Sequence, residues 1–175
     1  YAYAMIAIYA AVASLGMNGV VVRELVKGDV DNSTIMGTSF SLQIFGGILA
    51  SLLVVITVMV LRPDEWNLML AVLFMLPSVM LRSSDIIKYW FESTVSAKYT
   101  VIAQNIAFFI SSFAKVMIMY WNGSYLSIAA TVTLEALLLC ILLFWFYAKK
   151  HSLSWHFDFQ EAKRLLSISW PLVLS

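Results

Sequence analysis

Long apolar stretches, broken by short polar segments, run through most of the chain. A helix needs about 20 apolar residues to cross the hydrocarbon core of a membrane. By that measure the pattern predicts five membrane-spanning helices, at about 1–22, 34–61, 66–91, 99–120 and 126–147, and a sixth that begins near 168. The stretches lack the period of two that barrel strands show. The predicted fold class is therefore all-α, a polytopic transmembrane helix bundle.

The segment between the fifth and sixth spans has a helical pattern of its own. Its apolar side chains are spaced so that they can form one helix face: Phe159, Ala162, Leu165, Leu166 and Ile168. Two interpretations stay open, a cytoplasmic connector helix on the membrane surface and the first turns of the sixth span. On either one, residues 1–167 form one bundle and 168–175 start the next helix. Because the chain begins and ends within apolar runs, we expect an internal piece of a longer protein.

Composition narrows the class of protein further. Apolar residues make up 62% of the chain and charged residues 12%, whereas soluble domains have about 45–50% and about 25%. A domain of this size cannot bury such an apolar excess, which excludes a soluble globular protein. The net charge of +1 gives no basis for binding nucleic acid, and Cys140 is the single cysteine, so it has no partner within the chain.

The basic residues predict how the bundle is oriented. Nine lysines and arginines lie in segments 23–33, 82–98 and 147–167, and only Arg62 lies in the opposite loops. The positive-inside rule makes the first side cytoplasmic. Interfacial aromatic residues predict the same arrangement. The outer ones are Trp66, Tyr120, Trp121 and Tyr125, and the inner ones are Tyr89, Trp90, Tyr99, Trp145 and Tyr147.

Residues typical of enzyme chemistry are scarce. His151 and His156 are the only histidines, and without cysteines or a carboxylate cluster nearby their spacing predicts no metal site. The sequence contains no glycine-rich phosphate loop. We therefore expect neither an enzyme nor a bound metal or cofactor.

Charges within the spans are the candidates for function, since a charge inside a membrane is costly and usually faces a cavity or a partner. Glu135 lies near the middle of its span, too deep for its short side chain to reach the interface. It must be protonated, paired or in a wet cavity. Lys115, in the preceding span, leaves three alternatives: it snorkels to the interface, forms a structural pair with Glu135, or faces a substrate.

Three further charges follow at a spacing of three near the cytoplasmic end of the third span. Arg82, Asp85 and Lys88 therefore fall on one helix face. They form either a mutually paired helix end or a cationic patch at the inner mouth of a cavity. Pro77, five residues before Arg82 in the same span, predicts a kink because it frees a backbone carbonyl.

Several segments resemble, in order and spacing, parts of one transporter family. They are SLGMNGVVVRELV at 14–26, GGILA at 46–50, DIIKYWFE at 85–92, AKYTVIA at 97–103, EAKRLL at 161–166 and WPL at 170–172. The sequence is similar here to the second helix, the third helix, the fourth-to-fifth connection and the start of the seventh helix of Wzx-type polysaccharide flippases. These belong to the multidrug/oligosaccharidyl-lipid/polysaccharide exporter superfamily.

The resemblance implies a fold and an activity. The chain would be a fragment of the N-terminal lobe of a two-lobe transporter in the bacterial inner membrane. By alternating access, such a transporter moves undecaprenyl-diphosphate-linked oligosaccharide units to the outer leaflet for surface polysaccharides such as O-antigen. Arg82, Lys88 and Lys115 would then be cavity cations, and Asp85 and Glu135 gating or coupling acids. The implied partners are the lipid-linked oligosaccharide, membrane lipids, and a polysaccharide polymerase with its chain-length regulator.

Other functions remain open at this stage. A lipid II flippase or a cation-coupled drug exporter of the same superfamily would share the fold. A polysaccharide polymerase is less compatible with the sequence, because it would need large outer loops, and the predicted outer loops are about five residues long.

Overall fold

The computed structural model describes residues 4, 6–9, 16–121, 123–150 and 154–173, with side chains through Ser169. Its helices are α1 (Met17–Lys27), α2 (Asn32–Leu61), α3 (Trp66–Leu81), α4 (Asp85–Ser93), α5 (Lys98–Tyr120), α6 (Tyr125–Ala148) and α7 (Phe159–Val173). A 3₁₀ turn, Arg82–Ser84, joins α3 to α4. The described part of the chain contains no strand, which confirms the predicted all-α class.

Four helical stretches are long and apolar enough to cross a membrane, which makes this a membrane protein. They are Asn32–Leu61, Trp66–Ser93, Lys98–Tyr120 and Tyr125–Ala148. Each begins and ends within two residues of a predicted span. The second of them runs through the 3₁₀ turn, so that α3 and α4 together form the predicted third span.

The first predicted span differs from the structure. Gly16 has φ 61° and ψ 17°, a left-handed conformation, and α1 begins only after it. Glycine adopts this conformation without the steric penalty that a Cβ brings. An unbroken helix over 1–22 is therefore wrong at Gly16. Residues 4 and 6–9 are helical, and residues 1–3, 5 and 10–15 of that prediction lie outside the described part of the chain.

The spans pack through two groups of buried apolar side chains. One group joins α2 to α3 through Val54, Val58, Val72 and Val79. The other joins α1, α2, α4 and α6, and its fully buried members include Met17, Ile35, Phe91 and Leu143. Helices α2 and α3 come close at Gly47, where an added Cβ would lie 3.4 Å from the carbonyl oxygen of Val79. Small residues at such crossings allow close packing inside a membrane.

Only some of the aromatic residues predicted to be interfacial anchors are exposed. The four predicted outer residues are exposed, as interfacial anchors are expected to be. Of the inner five, Tyr89, Trp90 and Tyr147 are buried, at 7%, 8% and 5% exposure. Trp90 and Tyr147 meet edge to face at 5.2 Å, and Trp155 Nε1 donates to the Tyr147 hydroxyl at 3.2 Å. These three serve the core, because neighbouring helices and the 154–158 segment cover them.

The segment before α7 is fastened to the start of α2. The backbone N–H of His156 donates to the Ser33 carbonyl at 3.3 Å, and that of Asp158 donates to Thr38 Oγ1 at 3.0 Å. The Asp158 carboxylate accepts from the N–H of Gln160 at 2.8 Å, as an N-terminal cap does. The start of α7 is therefore fixed relative to the bundle.

Helix α7 buries only part of the predicted apolar face. Glu161, Ala162, Leu165 and Ser169 are buried, whereas Phe159 is 75% exposed and Leu166 38%. Of the predicted apolar face, Ala162 and Leu165 thus lie against the bundle, whereas Phe159 and Leu166 are directed away from it. The physical reason is that α7 packs on α1 and α2 through buried apolar side chains and through the ion pair of Arg164 with Glu24 of α1, and that Glu161 is buried beside Arg164. The helix continues without a break to Val173, as expected if residues 159–169 are the first turns of the sixth helix.

Substitution of Gly37 tests the docking of this segment. A Cβ at Gly37 would lie 2.5 Å from the carbonyl oxygen of His156 and 2.8 Å from its nitrogen. Because the backbone of His156 must move to make room for this Cβ, we expect Gly37→Ala to lower the free energy of unfolding by about 1–3 kcal/mol. Chemical unfolding in detergent measures this. The control is Gly19→Ala in α1, where an added Cβ would have no described atom from elsewhere in the bundle within 4 Å; equal stability of the two variants would contradict the expectation.

Candidate functional site

A cavity of about 610 Å³ lies between α3, the 3₁₀ turn, α4, α5 and α6. All five charged residues singled out from the sequence line it: Arg82, Asp85, Lys88, Lys115 and Glu135. Apolar side chains such as Leu81, Phe108 and Leu139 complete the wall. The structure thus brings residues from three predicted spans to one place.

Lys115 and Glu135 form an ion pair across α5 and α6. Lys115 Nζ donates to Glu135 Oε2 at 3.2 Å, and Ser111 Oγ lies 2.8 Å from the same oxygen. Both charged side chains stay about one third exposed, at 34% and 35%. Lys115 is therefore directed toward Glu135 and the cavity, so of its three alternatives snorkelling to the interface does not fit the geometry.

The other three charges sit where α3 passes into α4. Lys88 Nζ lies 2.6 Å from Asp85 Oδ1, and both side chains are partly buried. Arg82 is exposed and forms no salt bridge with any residue that the structure describes. Ser78 and Ser84 also line the cavity, but their hydroxyls donate to the carbonyls of Met75 and Leu81 in their own helical turns. Arg82 is thus the cation best able to meet an incoming anion.

A smaller cavity of about 370 Å³ adjoins the first and shares Phe108, Glu135 and Leu139 with it. Gln104 and Asn105 also line it. Together with Ser111, these are site residues that the sequence reasoning missed. The available signal was the presence of adjacent amides and a hydroxyl within an otherwise apolar span. Glu135 consequently lines both cavities.

The α3 wall of the cavity is tied to α6 near the proline. Pro77 has no N–H to offer the preceding turn of α3. Thr133 of α6 donates its hydroxyl to the Phe74 carbonyl at 2.6 Å, three residues before Pro77. This hydrogen bond joins the two helices near the level of Glu135 and holds the proline-containing turn against α6.

A second charged cluster lies outside the cavity, where α1 meets α7. Glu24 is only 1% exposed, and Arg164 Nη2 lies 2.7 Å from its Oε2. Arg164 also pairs with Glu161 at 2.6 Å, and Lys27 donates to Glu24 at 3.1 Å. Burial opposes ionisation of Glu24, but the hydrogen bonds and charges of Lys27 and Arg164 outweigh it and keep the Glu24 pKa below its ordinary value. From the sequence, Glu24 reads only as part of a helix end.

Among the residues that the structure describes, no three His, Cys, Asp or Glu side chains gather so that they could hold a metal ion. No family model matches the chain, and no curated protein or solved structure does either. Any assignment of function therefore depends on the charged cavity between the apolar helices.

Proposed function

We propose that the chain forms one helix bundle of a transporter that moves undecaprenyl-diphosphate-linked oligosaccharide units across the bacterial inner membrane. The observation that supports this proposal is the charged cavity, which gathers three cations and two acids between apolar helices. Alternating access of such a cavity to the two leaflets would supply surface polysaccharide biosynthesis. A polysaccharide polymerase and its chain-length regulator would then use the translocated unit.

The charges in the cavity match a diphosphate. Arginine can bind phosphate oxygens with two parallel hydrogen bonds, whereas lysine acts as a point charge. Arg82 is exposed and has no carboxylate partner among the described residues, while Lys88 and Lys115 are held by Asp85 and Glu135. An entering diphosphate would exchange with these carboxylates, so that the acids hold the lysines in place when the cavity is empty. This exchange would couple substrate binding to movement of α5 relative to α6.

The size of the cavity fits a headgroup. Sites for small molecules occupy about 300–1,000 Å³, and this cavity measures about 610 Å³. The diphosphate and the first sugar would fit within it, while the apolar tail would stay in the lipid. The wall contributed by Leu81, Phe108 and Leu139 is suited to the flat apolar faces of sugar rings.

Genetic complementation tests the proposed function. We expect deletion of the encoding gene, in a strain without another flippase, to abolish surface polysaccharide and to accumulate complete lipid-linked units on the cytoplasmic leaflet. Arg82→Gln should leave this defect uncorrected although the protein inserts. Lys163→Gln removes an exposed lysine of α7 outside the cavity and should restore the polysaccharide. Normal polysaccharide in the deletion strain, with no accumulated unit, would refute the proposal.

A second candidate is a cation-coupled exporter, favoured by the position of Glu135 in the wall shared by two cavities. A carboxylate paired with Lys115 could release that lysine when it binds a proton or Na⁺. Efflux of a cationic dye from cells, measured with and without a sodium or proton gradient, distinguishes the two. Gradient-dependent efflux that requires Glu135, with unchanged surface polysaccharide, would select the exporter.

A further inference from the structure

Three exposed lysines meet where α5 begins and α6 ends. They are Lys98, at the first residue of α5, and Lys149 and Lys150, just after α6. None of the three lines the charged cavity. Within the described residues, none forms a salt bridge with a carboxylate. Their positive charge therefore stays available on the perimeter of the bundle.

The ammonium groups of these lysines lie close to a row of aromatic rings. Lys150 Nζ lies 4.2 Å from the centroid of the Tyr99 ring, and Lys98 Nζ lies 5.2 Å from the same centroid. Lys149 Nζ lies 5.1 Å from the Trp145 ring. The rings of Trp145 and Phe146 are 5.0 Å apart, and those of Phe146 and Tyr99 are 5.5 Å apart. Ring faces attract a cation without accepting all its N–H donors, so the lysines keep donors for an anion.

The helix surfaces next to the lysines are apolar. Ile102 lies one turn after Lys98 on α5, and Trp145 and Ile141 lie one and two turns before Lys149 on α6. A spacing of four places each on the same helix face as its lysine. Their side chains are 44%, 55% and 56% exposed. A charged head and an apolar strip are thus continuous on the outside of α5 and α6.

We propose that this surface, the Lys98–Lys150 patch, binds the phosphate headgroup of an anionic phospholipid such as phosphatidylglycerol. The lysines would bind the phosphate, and the acyl chains would lie along Ile102, Trp145 and Ile141. The apolar strip favours a lipid over free phosphate, because a soluble ion would gain nothing from it. The patch is separate from the charged cavity, so the inference does not depend on the proposed transport activity.

Trp145 provides the reporter for a direct test. The full chain is reconstituted in phosphatidylcholine vesicles containing phosphatidylglycerol, with dibrominated acyl chains on one lipid or the other. Bromine quenches only nearby tryptophans, and the share due to Trp145 is the part that Trp145→Phe removes. We expect this share to be quenched more by brominated phosphatidylglycerol than by brominated phosphatidylcholine at equal mole fraction.

Variants of the lysines decide whether the patch causes the preference. In the triple variant Lys98→Gln/Lys149→Gln/Lys150→Gln, both brominated lipids should quench Trp145 equally. Lys150→Gln alone should lose part of the preference for phosphatidylglycerol. Lys150→Arg, which keeps the charge over Tyr99, and Lys163→Gln, outside the patch, should retain it. Equal quenching in the unmodified chain, or an unchanged preference in the triple variant, would overturn the proposal. Displacement by inorganic phosphate at constant ionic strength would also overturn it, by showing a site for the free ion.

Discussion

Glu135→Gln and Lys115→Ala are each expected to abolish or strongly reduce transport while the protein still inserts in the membrane. Glutamine is nearly the same size as glutamate and can still accept a hydrogen bond from Ser111, 2.8 Å away. It cannot neutralise Lys115. The variant therefore changes the charge that would govern the proposed exchange between carboxylate and substrate, and it leaves the packing of α5 and α6 in place.

The expected size of the effect follows from the ion pair. A hydrogen bond to a charged group contributes about 1.5–3 kcal/mol, and each 1.4 kcal/mol corresponds to about a factor of ten. Loss of the pair should lower the rate of translocation by about tenfold or more. In Lys115→Ala the acid remains without its cation, which also weakens binding of an anionic substrate through repulsion.

Translocation in inverted membrane vesicles measures the effect, with the amount of inserted protein determined in the same membranes. The matched control is Glu92→Gln, which removes an exposed glutamate of α4 that does not line the cavity. Glu92→Gln should transport at the rate of the unmodified chain. Full activity of both Glu135→Gln and Lys115→Ala would remove the pair from the mechanism.

The membrane helices could be predicted from the sequence because one requirement fixes both their length and their composition. A helix in lipid satisfies its own backbone hydrogen bonds and must be apolar over the thickness of the bilayer. The turn residues between the apolar runs then leave little freedom at the ends. Asn32–Leu61 and Tyr125–Ala148 accordingly differ from their predicted bounds by two residues or fewer.

The candidate site was partly predictable for a related reason. A charge within a span is costly, so Lys115 and Glu135 stand out without knowledge of their neighbours. Ser111, Gln104 and Asn105 were missed because uncharged polar residues are common in spans. The charges of α4 reach the same cavity because of how α3, α4 and α6 pack. The spacing of residues along one helix gives no information about that packing.

Contacts between distant segments were beyond prediction from one sequence. Glu24 and Arg164 are 140 residues apart, and nothing local marks them as partners. The same holds for Tyr89 and Tyr147. Aromatic residues near the ends of spans predict interfacial anchors, but tertiary packing buries both side chains. The left-handed conformation of Gly16 was unpredictable for a different reason, since an isolated glycine in an apolar run is compatible with an unbroken helix.

Arg164→Gln is expected to give the largest loss of stability outside the cavity. The guanidinium joins Glu24 of α1 to Glu161 of α7, at 2.7 Å and 2.6 Å. Its removal leaves the buried Glu24 carboxylate with Lys27 and the more distant, exposed Arg23. A buried charge without any partner costs about 3–5 kcal/mol. Because Lys27 remains at 3.1 Å, we expect a loss of about 1.5–3 kcal/mol at neutral pH, the contribution of a hydrogen bond to a charged group.

Chemical unfolding in detergent, followed as a function of pH, distinguishes this contact from a simple packing effect. Since the Glu24 pKa is lowered in the folded chain, ionised Glu24 contributes its stability above its ordinary pKa of 4.5 and loses it as the pH falls through the lower folded value. The difference between the unmodified chain and Arg164→Gln should therefore shrink as the pH is lowered from neutral to about 3. A difference that stays constant over this range would contradict the assignment to Glu24.

Two further variants separate the buried contact from surface charge. Arg23→Gln removes a neighbouring cation that is 57% exposed and 3.5 Å from Glu24, and it should change stability by less than about 1 kcal/mol, as exposed ion pairs do. Glu24→Gln in the Arg164→Gln background should recover part of the loss, because it removes the charge that lacks its main partner. Together these results would establish that the ion pair of the buried Glu24 carboxylate with Arg164 stabilises the junction of α1 and α7, so that protonation of Glu24 loosens α7 from the bundle.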